Sequence, residues 1–222
     1  SAASDVYKRQ SISDQAKNVI ARDKVLYHGH ALAAVAAISD RAADRALDAI
    51  KVEYEVLSPV LDILEAIDPD SVLVNENNYT KLPEKPDRPS NIANVGNLVR
   101  GDIQEGFERA DVVIEREYVC PMTHQGYIEP HSCLASVDEE GKGTVWCSTQ
   151  GHFEFRNQTA SILKKNIADL KFVAKEIGGG FGGKTVVYLE PLAVMLSEKA
   201  GRPVKMLSLI HIYEPTRLAT IS

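Results

Sequence analysis

Cysteine, long hydrophobic runs and clusters of positive charge are scarce in this sequence, and each scarcity excludes a class of protein. Three cysteines in 222 residues are too few, and odd in number, for a disulfide scaffold, which favours a reducing, cytoplasmic compartment. The longest apolar run is the eight residues Ala31–Ile38, whereas a membrane-spanning helix needs about twenty. A net charge of −6 without a Lys/Arg cluster argues against binding nucleic acid or an anionic membrane.

The remaining composition indicates a soluble globular fold. The hydrophobic share is 44% and the charged share 25%, both ordinary for such proteins, and a chain of this length buries enough surface to fold without metal. Cys120, His124, His131 and Cys133 have no common zinc spacing, and Cys133 alternates with apolar residues as a core side chain does. We therefore predict no metal-ligating side chains.

The first part of the chain has the pattern of a small strand–helix–strand unit. Val25–Tyr27 and Ala31–Ile38 are predicted strands, the second buried on both faces because it is apolar throughout. A helix follows, capped by Ser39 or Asp40, with alanine, leucine and isoleucine on one face. The alternating segment Lys51–Leu57 predicts a half-exposed strand.

Prolines recur every third residue in a charged segment and predict an extended linker there. The terminal segments fit neither neighbouring domain and resemble foreign sequence at the edges of a fragment. The predicted divisions are a non-native leader at 1–10, a first partial domain at 11–80, the linker at 81–94, a second partial domain at 95–206 and a non-native tail at 207–222.

The second part of the chain predicts a mixed helix and sheet domain. Asp102 and Glu105 form the pattern of a capping box, and Pro191 with Gly201 brackets a later helix. The predicted elements are a short helix ending near Arg109, strands at 112–119 and 170–177, a hairpin of 133–137 with 144–149, and helices at 154–165 and 190–200.

The glycine-rich segment Gly178–Lys184 is the most informative stretch of the sequence. Five of its first six residues are glycine, and each costs about 0.5–1 kcal/mol of chain entropy relative to alanine. A turn needs one or two glycines, so five indicate a large ligand lying against bare backbone. A tight structural connection is the other interpretation of the same pattern.

A phosphate loop is one candidate for this segment. Residues 178–185 match G-x-x-x-x-G-K-[ST] and follow a predicted strand, which makes a nucleotide-binding protein the alternative function. A phosphate loop requires a helix beginning at Lys184, and Pro191 would break that helix. An extended segment after Lys184 would instead favour another ligand.

The same segment resembles the cofactor loop of the xanthine dehydrogenase/aldehyde oxidase family of molybdenum hydroxylases. The resemblance runs from about Arg22 to Met206 and implies an α+β fold: the C-terminal part of a small α/β hammerhead domain, then the first part of a mixed α/β molybdopterin-binding domain. The supporting segments are Arg22–Val25, Ala33–Ile38, Val52–Val56, Gly101–Ile103, Ala110–Val113, Ile128–His131, Ser148–Gln150 and Gly201–Val204.

The resemblance implies a molybdenum–pyranopterin cofactor, as molybdopterin or its cytosine dinucleotide. Gln150 would hydrogen-bond the oxo ligand of molybdenum, and Phe181 and Gly182 would lie beside the metal with the Gly182 N–H facing its ligands. Gly180 and Gly183 would let the backbone approach the cofactor, and Gly179 belongs to the same predicted cofactor-binding set. The implied reaction oxidises an aldehyde or N-heteroaromatic carbon of a small molecule with water as oxygen source. Electrons then pass to 2Fe-2S and FAD partner subunits or domains.

The resemblance also implies that this chain lacks part of the site. The general-base glutamate of the family lies beyond its end, in the missing C-terminal half of the subunit, so neither Glu129 nor Glu190 is assigned that role. Thr185 stands where xanthine-type members have an acidic residue, which does not favour a purine substrate. The chain alone is expected to be inactive. His152 is a candidate cavity residue or a solvated histidine, and a non-catalytic interaction fragment is a third hypothesis.

Overall fold

The computed structural model describes residues 12–82, 84 and 86–208, and these form two compact units. Among the described residues, the first unit comprises 12–52 with 124–208, and the second comprises the stretch from Glu53 to Thr123. The helices, in chain order, are α1 Ile12–Val19, α2 Asp40–Asp48, α3 Ile63–Ile67, α4 Ile103–Glu108, α5 His152–Leu163 and α6 Glu190–Ala200, with a 3₁₀ turn at Ile167–Asp169.

A four-stranded mixed sheet forms the centre of the first unit. Its spatial order is β3-β2-β1-β4, with β2 parallel to β3 and the other two pairs antiparallel. Helix α5 makes the crossover that a parallel pair requires. The strands are β1 Ser132–Val137, β2 Gly143–Cys147, β3 Leu170–Ala174 and β4 Val204–Leu207.

The predicted hairpin is confirmed as the β1–β2 pair, in the register Cys133 opposite Cys147 and Val137 opposite Gly143. In its turn, the Asp138 carboxylate accepts the Lys142 N–H at 2.9 Å. Asparagine and aspartate favour turns because their side chains make such local hydrogen bonds. Strand β2 ends two residues earlier than predicted, so Ser148–Gln150 leaves the sheet at this edge.

The core lies between the sheet and two helices, because α5 and α6 contact both the sheet and each other. Alternating residues of the strands face this layer, as the two-residue period of a strand requires. Both Cys133 and Cys147 lie in the core, which confirms the prediction of a packing role for Cys133. The core residues are Cys133, Ala135, Val137, Val145, Cys147, Phe155, Ala160, Leu170, Phe172, Val187, Ala193 and Val194.

Helix α6 has the bounds that its sequence predicts. Pro191 occupies its first turn, and the C-cap Gly201 has a φ of 61°, a conformation that favours glycine. Its buried Ser197 joins the helix to β1 and to the turn that follows the helix: the Oγ accepts the Val137 N–H at 3.0 Å and donates to the Arg202 carbonyl at 2.8 Å. Thus one hydroxyl fixes α6 against β1.

Aspartate side chains begin both helices of the second unit. Asp62 accepts the N–H groups of two residues in the first turn of α3, and Asp102 accepts the Glu105 N–H at 3.0 Å in α4. The predicted short helix is therefore confirmed. The Glu105 side chain pairs with Arg109 at 3.0 Å. The capping-box hydrogen bond that is observed is therefore the one that the Asp102 carboxylate accepts.

The proline-rich segment closes into a loop at its two ends. Lys81 forms a parallel bridge with Asn94, and the Asn78 carbonyl accepts the Ser90 N–H at 2.9 Å. Pro83 and Lys85 lie outside the described residues. The predicted boundaries at 11–80, 81–94 and 95–206 stay predictions.

Four predicted strands are wrong for the described residues. Val25–Tyr27, Ala31–Ile38, Lys51–Leu57 and Val112–Val119 have no strand assignment, and side chains such as Ile38 at 93% and Val119 at 84% are exposed. A strand is completed by a ladder of hydrogen bonds to a neighbouring strand, and no described segment forms such a ladder with these four. Residue periodicity indicates a strand-forming segment, but it does not supply the partner.

Two further predictions concern the ends of the sequence, a non-native leader and a non-native tail. Leu207 ends β4 and pairs with Ser132, so the first residue of the predicted foreign tail lies in the sheet. The leader 1–10 and the rest of the tail from residue 209 lie outside the described residues. Among the helices that the structure describes, none is long and apolar enough to cross a membrane.

Replacing Ser197 with alanine removes the hydroxyl that joins α6 to β1. We expect Ser197→Ala to lower the free energy of unfolding by about 1–3 kcal/mol, because it leaves the buried Val137 N–H without an acceptor. Urea unfolding measures the change. Ser136→Ala, in the same strand and half-buried, is the control, and an equal loss in both variants would contradict this assignment.

Candidate cofactor-binding site

The glycine-rich segment connects β3 to α6 in the first unit. Gly179 has a φ of 95°, Gly182 has a φ of 91°, and Phe181 between them has a φ of 47°. Positive φ costs a non-glycine residue free energy, and such strain is concentrated at functional sites. The Phe181 side chain is 73% exposed, so burial of its own ring does not offset this cost.

Gln150 lies directly beside the loop. Its Oε1 accepts the N–H groups of Gly182 at 3.0 Å and Lys184 at 3.2 Å, and its own backbone N–H donates to the Lys184 carbonyl at 3.0 Å. The structure thus brings together the two sequence segments on which the predicted site depends. Gln150 reaches the loop because the chain leaves the sheet after β2.

The hydrogen bonds also fix which way the Gln150 amide faces. Two N–H donors converge on one side-chain atom, which must therefore be the oxygen, since an amide nitrogen would donate rather than accept. Among the described residues, the Nε2 group donates no hydrogen bond, and Gln150 is exposed. Its N–H groups are available to a ligand that carries acceptors.

Three glycines of the loop lie close to the protein's own side chains. A Cβ on Gly178 would lie 2.7 Å from Glu129 Cβ, and one on Gly180 would lie 2.5 Å from Gln150 Oε1. A Cβ on Gly183 would lie 2.6 Å from the ring of Tyr127. These contacts supply a reason for the glycines that the sequence alone attributes to a bulky ligand.

Gly182 differs from these three, because its Cβ position faces open space with nothing within 4 Å. Its N–H donates to Gln150 rather than facing outward as the resemblance implies, since an irregular loop amide needs an acceptor. We call the exposed surface of Phe181, Gly182 and the adjacent Gln150 the open face.

Lys184 is buried, and this rules out a phosphate-loop role in the structure. Its side chain is 0% exposed and its Nζ contacts Glu129 Oε2 at 2.5 Å. Residues 181–184 form a turn, and α6 begins at Glu190 rather than at Lys184. Neither the helix N-terminus nor the free lysine of a nucleotide site is present in this described segment, so the nucleotide-binding alternative receives no support.

A cavity of about 530 Å³ lies beside the loop in the first unit. Gly182 and Gly183 form part of its wall, and Tyr127 donates to or accepts from His131 Nε2 across 2.8 Å. Partial burial raises the pKa of Tyr188, another wall residue. His152 does not line it and contacts Phe153 instead, so the cavity role considered for His152 is not supported by this cavity.

Glu190 is a buried carboxyl at the start of α6. The helix was predicted from the sequence, but the burial of this side chain was not. It is 1% exposed and accepts the Tyr188 N–H at 3.3 Å. Burial raises its pKa to about 7, and hydrogen bonds from backbone N–H groups partly oppose the rise. A carboxyl with a raised pKa in the folded state favours folding only while it is protonated.

Two family models match the chain. Residues 84–209 match the molybdopterin cofactor-binding domain, and residues 2–58 match the aldehyde oxidase and xanthine dehydrogenase a/b hammerhead domain. The matches therefore define the class of protein, one with a molybdopterin cofactor-binding domain. The chain belongs to the xanthine dehydrogenase/aldehyde oxidase family, as a part of its large subunit, which confirms the resemblance and the α+β fold class.

Known relatives are similar over most of this chain. It is 32% identical to a probable xanthine dehydrogenase subunit of Bacillus subtilis, over 85% of this chain and 24% of that protein. It is also 32% identical to the nicotinate dehydrogenase large molybdopterin subunit of Eubacterium barkeri, over 83% of this chain and 40% of that protein. The chain thus spans less than half the length of either relative.

Solved structures of the same family share the fold. CO dehydrogenase from Oligotropha carboxidovorans is 26% identical with a TM-score of 0.60, over 76% of this chain and 22% of that one. Quinoline 2-oxidoreductase from Pseudomonas putida 86 is 23% identical with a TM-score of 0.60, over 77% of this chain and 20% of that one. The second likeness shows the fold alone.

Adding a methyl group at Gly180 is expected to displace Gln150 without unfolding the protein. The new Cβ of Gly180→Ala would meet the flexible end of the Gln150 side chain, so the two hydrogen bonds from the loop amides are lost. We expect amide exchange of the 178–184 loop to rise about tenfold, measured by hydrogen exchange and mass spectrometry. Gly151→Ala, whose Cβ has 3.8 Å of clearance, is the control, and unchanged exchange in Gly180→Ala would refute the proposed contact.

Replacing Glu190 with glutamine is expected to flatten the pH dependence of stability. The carboxyl has a pKa of 4.5 when unfolded and about 7 when folded, so the folded state binds more protons and stability falls as pH rises between these values. At pH 8 the penalty is about 3 kcal/mol, which Glu190→Gln should remove. Denaturant unfolding at pH 5 and 8 measures it, with exposed Glu139→Gln as control, and identical pH profiles for wild type and Glu190→Gln would contradict the assignment.

Proposed function

We propose that this chain is the cofactor-carrying part of a molybdenum hydroxylase large subunit that oxidises an aldehyde or N-heteroaromatic carbon with water as oxygen source. One observation carries the proposal: the Gln150 amide is fixed beside the open face of Phe181 and Gly182, inside a domain that matches the molybdopterin-binding family. The match concerns the cofactor domain, and the activity of the whole protein follows as our inference.

The residues of the open face fit a molybdenum–pyranopterin. The Gln150 Nε2 group would donate to an oxygen acceptor of the cofactor without adding charge, and the bare Gly182 backbone would allow close approach. Phe181 would cover an adjacent part of the group. Gly179, Gly180 and Gly183 would act through the loop conformation, since the protein's own side chains occupy the space beside them. When bound, molybdenum supplies Lewis-acid and two-electron redox chemistry.

Thr185 stabilises the turn of the loop. It stands where the xanthine-type pattern has an acidic residue. Its hydroxyl donates to the Gly182 carbonyl at 2.8 Å, a hydrogen bond that an ionised carboxylate could not donate. The threonine therefore supports the turn next to the open face. We infer that a purine is not the favoured substrate, and that the substrate is an aldehyde, an N-heteroaromatic compound or a related small molecule.

The remaining parts of the enzyme are proposed to lie on other segments or subunits. The general base would come from the C-terminal half of the same subunit, and electrons would leave to 2Fe-2S and FAD groups on partner subunits or domains. The cofactor would be molybdopterin or its cytosine dinucleotide. The two free buried cysteines are consistent with the cytoplasmic location that we propose.

The experiment is to express the complete gene and measure molybdenum and pterin in the purified protein. We expect about one of each per large subunit, and about tenfold lower retention in Gln150→Ala, the loss typical of a group that orients a metal site. Exposed Gln104→Ala in α4 is the control. An intact wild-type subunit that carries neither molybdenum nor pterin would overturn the proposal.

A further inference from the structure

We infer that Glu129 is a positioning residue that closes the cofactor loop by binding both of its ends. Its Oε2 accepts the Gly178 N–H at 2.8 Å and contacts the Lys184 ammonium at 2.5 Å. Its own backbone N–H donates to the Gly178 carbonyl at 3.4 Å. This inference rests on the proposed function, because it states how the loop keeps the shape that the cofactor requires.

The two side chains of the ion pair differ in their exposure to solvent, and the buried ammonium needs the carboxylate to balance its charge. The Lys184 side chain is 0% exposed, whereas that of Glu129 is 31% exposed. Removing the partner of a buried ammonium leaves an uncompensated charge, a strongly unfavourable state. The Tyr127 ring, with its centroid 5.0 Å from Lys184 Nζ, stabilises the cation less than a carboxylate does.

Glu129 and Gln150 hold different parts of the same loop. The carboxylate binds the first residue and the lysine side chain of the last, and Gln150 binds the backbone of Gly182 and Lys184. Lys184 is therefore held at both its side chain and its backbone. With both contacts made, the loop is held at Gly178, Gly182 and Lys184, next to the open face.

The close packing of Glu129 against Gly178 supports the same positioning role for Glu129. A Cβ there would lie 2.7 Å from Glu129 Cβ, so the glycine allows the carboxylate to reach the loop amide. Gly178 and Glu129 thus form a matched pair. The sequence places Glu129 and Lys184 far apart in the chain, so only the fold reveals that they act together.

The test uses the complete subunit with four variants: Glu129→Gln, Lys184→Met, the double variant, and Glu198→Gln. The last removes the carboxylate of the Lys165–Glu198 pair, at 2.8 Å, and is the matched control for loss of a lysine–carboxylate contact outside the loop. Molybdenum and pterin content, amide exchange of the 178–184 loop and thermal unfolding are measured for each.

We expect Glu129→Gln to raise loop exchange and lower molybdenum content about tenfold each, with the control unchanged in both. Adding Lys184→Met should partly restore loading, because the double variant no longer buries an unpaired ammonium. This rescue is expected only if the two side chains act through their mutual contact. If Glu129→Gln does not fold, Lys184→Met carries the test, because it removes the other half of the same contact. Unchanged loop exchange and molybdenum content in Lys184→Met would then overturn the positioning role.

The two proposals fail in different ways. Wild-type protein without molybdenum or pterin would overturn the proposed function. A loaded wild type whose Glu129→Gln variant has unchanged loading and loop exchange would overturn the positioning role alone. Equal loss in Glu198→Gln would also overturn it, because the effect would then be one of general stability.

Discussion

The Gln150 side-chain oxygen is the acceptor on which the site depends. It satisfies two loop N–H groups that have no place in a helix or strand, and in doing so sets the direction of its own amide. Because β2 ends at Cys147, the chain reaches the loop within three residues. The core of the first unit thus fixes the strand end, the strand end fixes Gln150, and Gln150 fixes the loop.

Glycine in this loop has two separate uses. Gly178, Gly180 and Gly183 provide space for Glu129, Gln150 and Tyr127, and their conformational cost is offset by the contacts that they admit. Gly182 leaves its Cβ side open. A run of glycines that appears uniform in the sequence is therefore divided by the fold into residues that receive the protein's own side chains and one that faces outward.

Local signals predicted much of the fold, and long-range pairing accounts for what they missed. Pro191 with Gly201 gave the bounds of α6, and the Asp102 cap gave α4, because helix ends depend on neighbouring residues. Ala31–Ile38 and Val112–Val119 were predicted as strands without knowledge of a partner, and both are wrong. The glycine loop and Gln150 were predicted together through the family resemblance, whereas the Glu129–Lys184 contact has no local signal and was missed.

A structure of the complete subunit with its cofactor tests the central claim most directly. The account predicts that Gln150 Nε2 lies within about 3.2 Å of an acceptor on the molybdenum–pterin group, with Phe181 and Gly182 against the same face. The Gln150 oxygen should still accept the loop amides. A cofactor bound elsewhere in the protein, with Gln150 Nε2 directed to solvent, would contradict the account.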